Sequence, residues 1–149
     1  MVGVRFSRFA EEKSAELADS LVSKLMESPR TTAYRELDRD ALLNECREFF
    51  QGLTDWLIYR GVADIEEYYR RKGKRRASQG VPLEQCVNAM LVCRDHLVQY
   101  LRHEAHWGHN EELFGELEFV VAVNHFFDDA IFFQMRGHRE HATSVEEVA

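Results

Sequence analysis

Apolar residues along the chain recur at three- and four-residue spacing and do not alternate over a strand's length, which is the period of helices buried along one face. The first stripe, Leu17, Ala18, Leu21, Val22 and Leu25, predicts a helix from about Ser7, an N-cap residue type, to just before Pro29. A second begins at Asp38 or Asp40 and aligns Leu42, Cys46, Phe49, Phe50, Leu53, Trp56 and Leu57 before Gly61 closes it. Asp64, with Glu67 three residues later, has the form of a capping box opening a third helix that carries Ile65, Tyr68 and Tyr69 and ends near Gly80. Pro82 suits the first turn of a fourth helix, reaching about Trp107. Asn110 caps a fifth, which runs to about Arg136 with Gly137 as its stop. The expectation is an all-α, single-domain bundle of about five helices over residues 1–137, with 138–149 as a flexible tail.

Two of these helices carry polar residues where the pattern draws attention to them. On the fifth, Phe119, Val123, Phe126, Phe127 and Ala130 share one arc, while Glu118, Asn124, His125, Asp128, Asp129 and Arg136 share the other together with Val121 and Phe132. That second arc reads as a solvated back or as a mixed interface with two apolar contacts. On the fourth, Arg94 projects near the middle of the apolar stripe. An arginine keeps its proton, so burial there demands a partner: Asp128 or Asp129 as an internal polar couple, or a bound anion. Snorkelling of the guanidinium to the surface is the plain alternative.

Composition narrows the function. The chain has 149 residues, 45% hydrophobic and 30% charged, enough for one self-supporting core. It lacks an apolar run of about 18 residues and its start lacks the apolar centre of a secretory signal, so a cytoplasmic protein without a membrane segment is expected. A formal charge of −7 disfavours nucleic acid. The basic run from Arg70 to Arg76 is the local exception. Glu66 and Glu67 stand four residues before Arg70 and Arg71, in the orientation that favours pairing, and the remaining cations sit at the helix C-terminus, where they offset its dipole. Arg75, Arg76 and Gln79 are left as a candidate surface for docking an acidic partner. Cys46, Cys86 and Cys93 form neither an even disulfide set nor a Cys-x-x-Cys pair and read as reduced core residues.

Chemistry that would mark an enzyme is missing from the pattern. His103 and His106 lie one turn apart with His109 just beyond, a weak metal alternative, but neither His-Glu-x-x-His nor paired Glu-x-x-His motifs occur. His125 as a haem ligand is a further alternative, set against its place on the polar arc. Gly-x-Ser-x-Gly and a glycine-rich phosphate loop are both absent, and adjacent Asp128 and Asp129 point about 100° apart on a helix rather than facing each other. A non-catalytic protein without a cofactor is expected, with a small-molecule, haem or metal sensor as the alternative.

The stretch Arg76-Ala77-x-Gln79-Gly80-Val81, followed by a helix with Arg94-Asp95, resembles the N-terminal domain of RsbT co-antagonist proteins of the RsbRD type. The segment Phe126-Phe127-Asp128-Asp129-Ala130-Ile131, closing on Gly137-His138, is similar to the end of such domains. Arg94 stands where the family pattern has lysine, and Gln85 where it has an acidic residue. The resemblance implies an all-helical input module of bacterial stress signalling, often dimeric, that works with a STAS or kinase-type output protein. It also implies a globin-like arrangement as the alternative to a simple bundle.

Overall fold

The computed structural model describes residues 2–104 and 110–148, and among these every regular element is helical. Helix α1 spans Val2–Glu12 and α2 Ser14–Glu27. The single helix expected from Ser7 therefore starts earlier and is interrupted at Lys13, whose ψ of 18° leaves the helical well. The break lets two apolar faces meet different neighbours: Phe6 and Ala10 of α1 are turned towards the later helices, and Leu17 and Leu21 of α2 towards the middle of the bundle. Ser7 and Thr54 share a buried hydroxyl contact of 2.8 Å, and Glu11 accepts from the Thr54 backbone N–H at 2.8 Å, so α1 is tied to the chain that follows the next helix.

After Pro29 a 3-10 turn, Thr32–Glu36, carries Tyr34 into the interior. Thr31 donates to the Leu25 carbonyl at 2.7 Å, and the Ala33 N–H donates to Gln85 Oε1 at 2.7 Å, which pins the turn from both sides. Helix α3, Arg39–Gln51, is capped by Asp38, whose carboxylate accepts from the Asp40 N–H. Its stripe continues beyond Gly52 in a π-helical stretch, Asp55–Tyr59, where the Arg60 N–H reaches the Asp55 carbonyl five residues back.

Helix α4 spans Val62–Ser78 with Gly61 at its N-cap. The expected capping box is not formed, because the N-cap is Gly61 rather than Asp64 and Asp64 falls inside the first turn. Its end is a Schellman motif: Val81 N–H bonds to the Arg76 carbonyl and Gly80 N–H to the Ala77 carbonyl, both at 3.0 Å, with Gly80 at φ +79° and Val81 buried. Only glycine adopts that φ without strain. Gly80→Ala is expected to lose about 1 kcal/mol in urea denaturation, although nothing lies within 4 Å of the added methyl.

Helix α5, Leu83–Glu104, starts on the Pro82 carbonyl, which accepts from Gln85 and Cys86. Helix α6 runs from Asn110 to Val148. The expected stop at Gly137 is overturned, because the helix continues through it as far as Val148. Gly137 is there for closeness. A Cβ at Gly137 would run into the Arg70 carbonyl oxygen, and one at Gly73 into the Gln134 carbonyl oxygen, so α4 and α6 cross with their backbones in contact. Where about five helices were expected, the described residues thus form α1 to α6 with a 3-10 turn and a π-helical stretch besides.

The core collects around α6. Phe119, Val123, Phe126, Phe127 and Ala130 are all buried, as their arc predicts. Phe126 stands among Phe49, Trp56 and Tyr69 with ring centroids 5.6 to 5.8 Å apart, joining α3, the π-helical stretch, α4 and α6. His96 of α5 is buried and bonds to the Leu17 carbonyl of α2 at 3.1 Å; burial pushes its pKa down, which favours the neutral ring. Among the described residues no helix is long and apolar enough to cross a membrane.

Candidate functional site

Polar side chains interrupt the buried stripes of three helices at the same height. On α3, Glu45 adjoins Cys46 and follows Leu42 by one turn. On α4, Lys72 and Arg76 continue the row begun by Ile65 and Tyr69. On α6, Gln134 lies one turn beyond Ala130. With Tyr34 from the 3-10 turn these groups line a small, partly open cavity of about 50 Å³. Its other walls are apolar, among them Leu21 and Leu25 of α2, Phe49 of α3 and Met90 of α5.

Arg76 is the anchor of this chamber. Only 2% of it is exposed, and its Nη2 is paired with Glu45 Oε2. Nη1 donates to Gln79 Oε1 at 3.0 Å, and the guanidinium lies over the Tyr34 ring, 5.6 Å from its centroid. The second Glu45 oxygen takes Arg75 at 3.1 Å. Burial raises the Glu45 carboxyl, but the surrounding Arg76, Lys72 and Arg75 outweigh it and hold the carboxyl below its ordinary value.

Lys72 has no carboxylate of its own. Among the described residues it enters no ion pair within 4 Å, and its ammonium lies 5.4 Å from the Tyr69 ring centroid. Burial and then the Arg76 charge lower its pKa, against the pull of Glu45. Burial also raises the Tyr34 phenol and both thiols on the wall, Cys46 to about 11 and Cys93 further, so these three stay protonated at neutral pH. Gln134 is 2% exposed and neither atom of its amide has a hydrogen-bond partner; Arg76 Nε is equally unpaired.

The residues marked in the sequence fall elsewhere, with one exception. Arg94 is not interior: its side chain is 31% exposed and pairs with Asp95 on its own helix at 3.3 Å. Arg94 and Asp128 do line one surface cleft between α5 and α6, but no ion pair joins them, and Asp129 and His125 lie outside that cleft. Asp129 is half-buried, and His125 is exposed rather than enclosed. His103 is exposed, while His106 and His109 lie outside the described residues. Among the described residues no group of three or more His, Cys, Asp or Glu is placed to hold a metal. Of the surface junction, Arg75 and Gln79 are exposed as expected, and Arg76 is the exception that belongs to the interior.

Elsewhere in the basic run Arg70, Arg71 and Lys74 are paired. Glu67 takes Arg71 at 2.7 Å, in the orientation read from the sequence. Arg70 instead crosses to α6, where Glu140 holds both Arg70 and Lys74, and Glu66 faces Arg136 at 3.7 Å.

The residues missed by sequence reasoning are Tyr34, Glu45, Lys72 and Gln134. For Lys72 and Gln134 a signal was present. Lys72 and Arg76 stand seven and eleven residues after Ile65, and Gln134 seven after Phe127, so each helical row continues inward through a polar side chain. A run of cations hides such members, because charge draws the eye to solvent. Tyr34 had no such signal, since the turn that carries it has no period.

The family model described as the RsbT co-antagonist protein rsbRD N-terminal domain matches residues 15–147. No curated protein and no solved structure matches the chain.

Proposed function

The chain belongs to the RsbT co-antagonist protein rsbRD N-terminal domain family, a signalling and regulatory domain of the stress response, and from that premise we propose that it is a non-catalytic cytoplasmic input domain acting through self-association. The observation that carries this reading is the outer face of α6. Val121 and Phe132 are 46% and 58% exposed, and Leu117 lies exposed one turn before Val121. Large apolar side chains on one long helix, set among Asn124, His125 and Asp128, have the mixed character of a protein interface rather than of a solvated back.

The resemblance of the Arg76-Gln79 junction to input modules supports a downstream protein of STAS or kinase type as the recipient. Two-state signalling requires that the interface differ between states, and a helix face that is free in one and covered in the other meets that need. Size-exclusion chromatography with light scattering is expected to give twice the 17.5 kDa chain mass. The double variant Val121→Glu, Phe132→Glu is expected to give the single chain mass with unchanged far-ultraviolet circular dichroism. A wild-type monomer at high concentration would overturn self-association.

A further inference from the structure

The interior chamber is independent of the α6 outer face and has chemistry of its own. Around it stand two basic side chains, Lys72 and Arg76, and one carboxylate, Glu45, which is already shared with Arg75 outside. The interior is thus short of one negative charge. Its buried unpaired atoms tell the same story: Arg76 Nε and Gln134 Nε2 are donors without acceptors, against a single unpaired acceptor, Gln134 Oε1, and the half-buried Lys72 ammonium beside them has no carboxylate within 4 Å among the described residues. A buried donor without a partner costs free energy, and arginine cannot relieve the imbalance by losing its proton.

We propose that this chamber binds a short-chain monocarboxylate, with its carboxylate against Lys72, Arg76 Nε and the Gln134 amide and its aliphatic end against Leu21, Leu25 and Met90. Charge selects a monoanion, because a dianion would leave an excess negative charge in a site that already contains Glu45. Size selects a small molecule. A water needs roughly 10 to 15 Å³ measured in the same way, so about 50 Å³ accommodates roughly four heavy atoms, and slightly more if the flexible Met90 and Lys72 side chains move. The apolar walls select an organic acid over an inorganic ion, which would leave them without a partner. The ligand would touch α2, α4, α5 and α6 together, so binding would couple their packing.

The probe is sodium propionate, titrated into the uniformly ¹⁵N-labelled full chain at constant ionic strength, with sodium chloride as the matched control. The expected result is a saturable shift of the Gln134 side-chain amide signals with propionate and none with chloride. Lys72→Met is expected to weaken binding by about tenfold or more, the loss of one charge-assisted hydrogen bond. Should Lys72→Met not fold, Gln134→Leu provides the second arm: it removes two unpaired atoms at nearly constant volume, and is expected to raise the melting temperature without ligand and to abolish the thermal shift given by propionate. No saturable shift, an equal shift with chloride, or undiminished binding in either variant would overturn the proposal. Loss of self-association in the α6 variant with propionate binding intact would show that the two readings stand or fall separately.

Discussion

Gly137→Ala is expected to lower stability by about 3 kcal/mol, read as a shifted urea midpoint at constant slope. Alanine is the better helix former by about 1 kcal/mol, so propensity alone predicts a gain. The crossing with α4 reverses the sign. The new methyl meets the Arg70 backbone, including its carbonyl oxygen, and a backbone cannot step aside into another rotamer. The helices must separate, which opens the aromatic packing of Phe126 against Tyr69 a few turns away. Gly73→Ala meets the Gln134 carbonyl and the His138 backbone and is expected to behave alike. Gly52→Ala is the control: its methyl meets only ordinary contacts at 3.5 Å and beyond, and the change is expected to stay within about 0.5 kcal/mol.

Glu45→Gln is expected to cost about 3 kcal/mol, more than Arg76→Met. Breaking a buried pair from one side leaves the other charge uncompensated, at about 3 to 5 kcal/mol, and the lower end applies because Glu45 is 24% exposed. The asymmetry follows from the surroundings. Removing Glu45 leaves Arg76 enclosed beside Lys72, two like charges with no carboxylate between them. Removing Arg76 leaves Glu45 with Arg75 still at 3.1 Å. The pH dependence has a definite sign. The folded carboxyl titrates below its unfolded value of 4.5, so its contribution is complete above 4.5 and is lost as pH falls through the folded value. Glu45→Gln should therefore flatten this part of the acid limb of the stability curve, as denaturation from neutral pH to below 4.5 would reveal.

Much of the scaffold was written in periodicity. The stripe from Leu42 to Leu57 and the arc from Phe119 to Ala130 became core, and the Gly80-Val81-Pro82 punctuation became a Schellman motif leading into α5. Local signals failed where a residue answers to a distant neighbour. Gly137 has the chemistry of a stop and is used for contact with α4. Asp64 and Glu67 have the spacing of a capping box, yet the helix is already under way when it reaches them. Arg94 fits an apolar stripe by angle alone; at the outer edge of α5 it finds Asp95 and solvent. The chamber was the least legible part, because its polar groups come from separate elements and acquire meaning only when those elements are brought together.

The backbone contact between α4 and α6 has a mechanical consequence. Two helices touching through glycines cannot slide along each other without lifting apart, whereas either can tilt about the point of contact. Helix α6 continues 11 residues beyond Gly137 to Val148, a lever arm of roughly 16 Å at 1.5 Å per residue. A tilt of about 10° at this fulcrum would swing the tip by roughly 3 Å, so small changes of angle inside the bundle are enlarged at its C-terminal end.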